Sequence, residues 1–188
     1  MFFNKRKNAA AFISNKMLDT FRLGFATSSY LDTSTGQIAY PYGFMADEYV
    51  VGYSTGFTFA WLDIKFEGHK MSYAQREEVL HRVFHALAPN DTRRMLEIAG
   101  TVNSKSAATH AQFFEGYDAA SLFVGLMNGV RLRADYTNPK LEAAKKIAPT
   151  LRQAGIALGG AASGSKDSET LASALLQVTL REHIREQY

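Results

Sequence analysis

One long uncharged run constrains the fold of this chain more than any other part of its sequence. It extends from Tyr49 to Leu62, is rich in aromatic residues and contains the single tryptophan, Trp61. In a helix, Gly52 and Gly56 would lie on one face at a four-residue step. The opposite face is also apolar, which is typical of a helix that is buried on all sides. We therefore predict a central buried helix whose glycines let a second helix approach closely.

The main alternative to this central helix is a short β-hairpin around residues 37–66. Phe57, Phe59 and Trp61 alternate with smaller residues there, as the residues of a half-buried strand do. Two acidic residues directly before the run favour the helix, because the helix dipole stabilises negative charge in the first turn. If the run is helical, Gly68 is expected just past its end as a left-handed cap.

The rest of the chain carries helical periodicity and helix-end signals. Ser72 and Gln75 have the spacing of a capping box, and Asn138-Pro139 has the order of a cap followed by proline at the first helical position. Together with the central run, the pattern predicts an all-α, single-domain bundle of six to seven helices. The further helices are expected at residues 9–30, 72–88, 91–99, 104–130, 138–155 and 168–188.

The predicted helix at residues 104–130, capped by Ser104, repeats the glycine spacing of the central run. Gly125 and Gly129 are four residues apart, whereas Gly116 is a position where the helix could bend or end. Paired glycines in two apolar helices predict tight helix–helix packing, either inside the chain or at an oligomer interface.

Glycine and alanine mark a boundary near the end of the chain. Residues 155–167 contain four glycines and three alanines, which is the composition of a flexible linker. We therefore predict a helical core at residues 1–154 and a linker at residues 155–167. A C-terminal helix at residues 168–188 would dock on this core or on a neighbouring chain.

Composition excludes several classes of function. The 188 residues include no cysteine, which excludes disulfides, thiolate-bound metals and thiol catalysis. The formal net charge of +3 is too small to indicate nucleic-acid binding. We predict a cytoplasmic protein that binds no nucleic acid. Acidic residues are interspersed even in the most basic region, which contains Arg131, Arg133, Lys140, Lys145, Lys146 and Arg152.

Residues 1–22 allow two interpretations. Lys5, Arg6, Lys7 and Lys16, beside two phenylalanines, could contact a membrane surface. The apolar residues of this segment also recur at four-residue steps, which indicates an amphipathic helix that packs on the core. We favour the core helix, since stable membrane attachment needs a second lipid-binding signal and the sequence shows none.

Glu78, His81 and His85 form the strongest candidate for a metal site. Their spacing of three and four residues places all three on one face of a helix, and two histidines one turn apart can hold zinc. A di-metal bundle site would need a second Glu-x-x-His copy, which the sequence lacks. The alternative is that these residues are solvated polar neighbours of an apolar stripe.

The glycine-rich linker invites comparison with a phosphate-binding loop. Gly159, Gly164 and Lys166 supply the residue types of that motif. The motif requires lysine directly after the second glycine and a preceding strand. Both requirements fail here, so we do not predict a phosphate loop.

The sequence contains no complete set of catalytic residues, and this ranks the possible functions. The preferred prediction is a non-catalytic protein that binds another protein or its own copies. The alternative is a metal-dependent helical-bundle enzyme that uses Glu78, His81 and His85. A third, weaker hypothesis is a pocket for an apolar ligand, lined by Phe57, Trp61, Phe114 and Phe123.

Overall fold

α-Helices form nearly all of the regular secondary structure in the computed structural model, which describes residues 2–102, 109–133, 135–153 and 166–188. A π-helical turn, Gln177–Arg181, joins the last two α-helices without a break. The described residues therefore contain seven continuous helices, which confirms the predicted all-α bundle. The α-helical segments are α1 (Phe2–Gly24), α2 (Glu48–Lys65), α3 (Tyr73–Leu87), α4 (Thr92–Val102), α5 (Ala111–Met127), α6 (Pro139–Gln153), α7 (Lys166–Leu176) and α8 (Glu182–Gln187).

The aromatic run forms the central helix, α2, as predicted. The Asp47 carboxylate caps this helix by accepting a hydrogen bond from the backbone N–H of Val50 at 3.0 Å, and Glu48 occupies the first turn. Every residue from Tyr49 to Thr58 is buried. Burial on all sides follows from the position of α2, which contacts α1, α3, α4 and α5.

The alternative β-hairpin around residues 37–66 is wrong. From Glu48 to Lys65 the backbone hydrogen bonds are satisfied within α2, so none remain for a strand ladder. The only strand-like pairing among the described residues is an isolated antiparallel bridge between Leu31 and Ile38.

Gly68 does not act as the predicted left-handed cap. The residue with a left-handed backbone after α2 is Glu67, with φ of 55°. A Cβ added to Gly68 would lie 2.9 Å from the carbonyl carbon of Leu62 and 2.6 Å from Oδ1 of Asp63. Glycine is therefore needed here because the chain folds back against the end of α2.

The glycines of α2 face α5, and the predicted close approach is confirmed. A Cβ added to Gly52 would lie 2.7 Å from the carbonyl carbon of Phe113 and closer still to its oxygen. A Cβ added to Gly56 would lie 2.8 Å from the Cα of Tyr117. The two helices are thus in backbone contact, with no room for a methyl group between them.

The matching glycine on α5 is Gly116, which neither bends nor ends the helix. An added Cβ there would lie 3.0 Å from the carbonyl carbon of Tyr49. Tyr49 is three residues before Gly52, and Phe113 is three residues before Gly116, so the contact is reciprocal. Gly125 and Gly129 take no part in this contact. Among the described residues, a Cβ added to Gly125 would meet only Val130, and Gly129 lies beyond α5 with φ of 70°.

Two predicted helices have different ends. α1 spans Phe2–Gly24 rather than residues 9–30, and ion pairs link its first turns to later parts of the chain, including one of 2.9 Å between Lys5 and Glu67. α5 begins at Ala111 rather than at residue 104. The predicted cap, Ser104, lies outside the described residues.

α1 uses its apolar face inside the bundle. Ile13, Met17 and Phe21 are fully buried, and α1 packs against α3. The side chains of Phe2 and Phe3, which the membrane-surface interpretation invokes, lie outside the described residues. Within the described chain, no helix combines the length and the apolar character that crossing a bilayer requires.

The C-terminal helix packs on the rest of the chain. α7 contacts α5 and α6, and the π-helical turn contacts α1, α5 and α6. Leu175, Leu180 and Ile184 are buried in these contacts. α7 begins at Lys166, whereas residues 155–165 of the predicted linker, with Gly159 and Gly164, lie outside the described residues.

Candidate functional site

A cavity of about 810 Å³ lies among α2, α3, α4 and α5. Its floor consists of three buried side chains, Thr55 of α2, Leu80 of α3 and Phe113 of α5. Small residues on one wall, Ala99 and Gly100 at the end of α4, leave the space open. The cavity therefore adjoins the α2–α5 contact, on a side that the other described helices do not fill.

The inner walls of the cavity are apolar and aromatic. Phe59, Leu96, Phe114 and Tyr117 line them and are each half-buried. Each of these side chains therefore packs partly on other residues and is partly exposed to the cavity. Such a surface gains free energy when an apolar group covers it, at about 25 cal/mol for each Å² removed from water.

The rim of the cavity carries acidic and aromatic groups. Glu77, His81 and Asp118 are exposed there, and Tyr73 has 57% of its surface exposed. No lysine or arginine occurs among the described residues that line the cavity. The rim is therefore complementary in charge to a cationic group.

Asp118, like Glu77, is a rim carboxylate without an ion pair in the described chain. Within the described chain, no hydrogen bond or ion pair to it is present. Partial burial beside the cavity raises its pKa above the ordinary value for aspartate. Burial also raises the pKa of the neighbouring Tyr117, and the Asp118 charge adds to that effect. A cation in the cavity would stabilise the charged form of Asp118.

Arg76 is a basic residue behind the aromatic wall of the cavity, and its guanidinium already contacts Phe59 and Asp63. The guanidinium of Arg76 lies 4.7 Å from the centroid of the Phe59 ring. Its Nη2 also lies 3.0 Å from Oδ2 of Asp63. Arg76 therefore supports the aromatic wall from behind and does not itself line the cavity.

The structure divides the predicted metal-site residues. Glu78 and His81 line the cavity, whereas His85 is exposed outside it. Both carboxylate oxygens of Glu78 are taken, because Oε2 pairs with Arg6 and Oε1 lies 3.0 Å from Nη2 of Arg82. The described residues include no group of three or more His, Cys, Asp or Glu side chains placed to hold a metal ion. The metal site stays a prediction.

The aromatic pocket predicted from the sequence differs from the cavity that forms. Of its four members only Phe114 lines the cavity. Phe57 and Phe123 are buried in the core with ring centroids 6.4 Å apart, and Trp61 packs edge-on against Phe12 at 5.1 Å. Phe57 and Phe123 fill space between helices and Trp61 is half-buried against Phe12, so none of the three lines this cavity.

A cluster of polar side chains outside the cavity surrounds the start of α2. His183 Nε2 lies 3.0 Å from Oδ1 of Asp47, and both side chains are largely buried, at 12% and 17% exposure. The His183 ring stacks on Tyr49 with centroids 4.2 Å apart. Burial tends to raise the pKa of Asp47, but hydrogen bonds from His183 and from the Val50 backbone outweigh it and lower the pKa. This pair fixes the C-terminal helix to the start of α2.

Comparisons of the chain with protein-family models, with curated proteins and with solved structures find no match.

Proposed function

We propose that this protein is a non-catalytic, cytoplasmic binding protein whose ligand is an amphipathic helix of another protein. The apolar face of that helix would enter the cavity among α2, α3, α4 and α5, and its basic residues would meet the rim. The observation that carries the proposal is an open apolar cavity with an acidic rim and no basic lining residue in the described chain.

The size and lining of the cavity support binding. A volume of about 810 Å³ falls within the range of about 300–1,000 Å³ that is common for ligand pockets. Helix-in-groove complexes bury apolar anchors from successive turns of a partner helix. Phe59, Leu96 and Phe114 offer the surface that such anchors would cover.

The charge of the rim supports the choice of a basic partner. Glu77 and Asp118 are acidic, and Asp118 lacks a compensating cation. Lysine or arginine residues that flank the apolar face of a partner helix would pair with them and increase the association rate. An acidic helix would be repelled by the same groups.

The hydroxyl group at the cavity floor supports binding rather than catalysis. Thr55 Oγ1 donates a hydrogen bond to the Val51 carbonyl oxygen at 2.8 Å. This bond directs the hydroxyl proton into the helix and away from a neighbouring base. An activated nucleophile would instead need its proton directed at such a base.

A charge-swapped pair of peptides tests the proposal. Each is an amphipathic helix of leucine with either lysine or glutamate, about 18 residues or five turns long. We expect the lysine peptide to bind the full chain at least about tenfold more tightly, a difference of about 1.4 kcal/mol. Fluorescence anisotropy of the labelled peptides measures both affinities. Added salt should reduce the difference between the two affinities, because it screens the charges.

A matched pair of variants locates the binding site. Ala99→Phe fills the cavity from α4, whereas Ala86→Phe adds the same ring at an exposed position of α3 outside it. We expect Ala99→Phe to weaken binding of the lysine peptide at least about tenfold and Ala86→Phe to leave it unchanged. Equal binding of the peptide to both variants would contradict the proposal.

Two other ligands are outcomes of the same experiment. If dodecylammonium binds and Ala99→Phe abolishes this binding while neither peptide binds, the site serves a small amphiphile and the proposed partner is wrong. If light scattering shows a stable dimer that Ala99→Phe dissociates, the ligand is a second copy of this chain. Either result replaces the proposal of a separate protein partner.

A further inference from the structure

A second cavity, of about 610 Å³, lies between the C-terminal helix and the loop that follows α1. It shares no lining residue with the first cavity. The π-helical turn contributes Gln177, Val178 and Arg181 to its wall. Such turns are rare and occur frequently at functional sites. The second cavity therefore combines an unusual backbone feature with an open space.

The lining of the second cavity is rich in hydrogen-bond donors. Thr27, Ser28 and Ser29 come from the loop after α1, and Arg181 and Arg185 come from the C-terminal helix. Guanidinium groups present planar pairs of donors that match the oxygens of a phosphate. The hydroxyls of Thr27 and Ser29 add further donors to the same oxygens, whereas the Ser28 hydroxyl already donates to the Phe25 carbonyl oxygen at 2.9 Å. We propose that this cavity binds a small molecule that carries a phosphate monoester.

Arg181 is held in position for such a ligand. Its Nε and Nη2 lie 3.3 and 2.9 Å from Oγ1 of Thr27. This contact connects the π-helical turn to the loop and fixes the direction of the guanidinium. The Nη1 group makes no hydrogen bond to another residue of the described chain, so it is free to donate to a phosphate oxygen.

The acidic and tyrosine groups of the cavity are already engaged. The Glu182 carboxylate lies 3.4 Å from Nζ of Lys140 and 3.7 Å from Nη2 of Arg185. The hydroxyl of Tyr30 donates to the main-chain oxygen of Tyr188 at 3.3 Å. Lys140 also lies 3.6 Å from Glu115, so it offsets the charge of Glu182 only in part. Arg181, which pairs with no carboxylate of the described chain, supplies the positive charge for a ligand.

Isothermal titration of the full chain with AMP, inorganic phosphate and adenosine tests this proposal. AMP supplies a phosphate monoester on a body that a cavity of this size accommodates, and adenosine is the same body without the phosphate. We expect AMP to bind, inorganic phosphate to compete with it, and adenosine to bind at least about tenfold more weakly. Binding of adenosine as tight as that of AMP, or no binding of either phosphate compound, would overturn the proposal.

Variants place the phosphate in the second cavity. Arg181→Gln combined with Arg185→Gln should weaken AMP binding at least about tenfold. Thr27→Val, which keeps both guanidiniums but removes the acceptor that orients Arg181, should weaken it about threefold. Arg93→Gln, at a 92% exposed arginine of α4, is the control. Thermal unfolding verifies that each variant is folded, and an unchanged AMP affinity in the double variant would refute the site.

Discussion

The helices α2 and α5 form two opposite kinds of surface a few residues apart. Along Gly52, Gly56 and Gly116 their backbones touch, and even a methyl group has no room. At Thr55 and Phe113 the same two helices form the floor of an open cavity of about 810 Å³. The comparison shows how one helix pair can rigidly fix the bundle and still present an unfilled apolar surface. The close backbone contact fixes the spacing of α2 and α5, which carry Thr55 and Phe113 of the cavity floor.

We expect the largest loss of stability from substitutions at the backbone contact between α2 and α5. Gly52→Ala or Gly116→Ala would force the two backbones apart, so we expect a loss of more than about 3 kcal/mol in the free energy of unfolding. Gly100→Ala is the control, because no atom of the described residues lies within 4 Å of its added Cβ. At that helical position alanine should stabilise the protein by up to about 1 kcal/mol. Urea unfolding measures all three, and equal midpoints would disprove the backbone contact.

The second-largest loss of stability is expected at the contact between the C-terminal helix and the start of α2. His183→Phe keeps a ring stacked on Tyr49 but removes the donor to Asp47, and we expect a loss of about 2 kcal/mol at neutral pH. The folded-state pKa of Asp47 is below its ordinary value of 3.8. Its contribution to stability is therefore present above that ordinary value and is lost as the pH falls through the folded-state pKa.

The pH dependence of urea unfolding in wild type and His183→Phe measures that contribution. Asp32 and Glu67, whose pKa values are each lowered to about 2 by hydrogen bonds from their neighbours, titrate in both proteins. The difference between the two curves therefore reports on the Asp47–His183 pair. A difference that stays constant from neutral pH to pH values near 2 would show that the Asp47–His183 pair contributes nothing to stability.

A smaller effect, of opposite sign, is expected inside the tight core. The hydroxyl of Tyr53 is fully buried and has no hydrogen-bond partner among the described residues. Tyr53→Phe removes this uncompensated polar group, so we expect a gain of about 1 kcal/mol. Tyr42→Phe is the control, at a side chain fully exposed to solvent, and should leave the melting temperature unchanged. Destabilisation by Tyr53→Phe would indicate a partner for that hydroxyl.

The smallest change in stability is expected for a substitution beside the cavity. Ala99→Leu adds three carbons beside the cavity, yet we expect it to change the free energy of unfolding by less than about 1 kcal/mol. A single added carbon at Gly116 should cost more than three added carbons at Ala99. Calorimetric unfolding of the two variants compares them directly, and a reversed order would show that the cavity closes in solution.

Metal content tests the remaining alternative function. We expect no stoichiometric metal, because a metal would have to displace Arg6 and Arg82 from the Glu78 carboxylate. Elemental analysis of the purified protein measures this. Stoichiometric metal that disappears in the His81→Ala, His85→Ala double variant would instead favour the metal-dependent enzyme.

The sequence predicts the helices well because their signals are local. The capping box of Ser72 and Gln75 forms at the start of α3. Asn138 Oδ1 accepts hydrogen bonds from the first backbone N–H groups of α6, including that of Lys140 at 2.9 Å. The role of Gly116 was missed, since the glycine of α5 that meets α2 depends on where the two helices cross.

The cavity could not be predicted from the sequence for a related reason. It is a space, and it exists because α3 and α4 do not fill the region above Thr55 and Phe113. The composition of each helix gives no measure of that separation. The ion pair between Glu78 and Arg6 could not be predicted either, because Arg6 lies 72 residues earlier in the chain. Of the residues in the predicted metal site, half-buried Glu78 and exposed His81 line this cavity.

Methyl NMR of the full chain during titration with the leucine–lysine helix tests the central claim most directly. We expect chemical-shift changes at the methyl groups of Leu80, Leu96 and Ala99, which line the cavity, and none at Leu175, which is buried under the C-terminal helix. Shift changes confined to methyl groups away from the cavity, such as those of the exposed Leu23 and Val130, would contradict the proposed binding site.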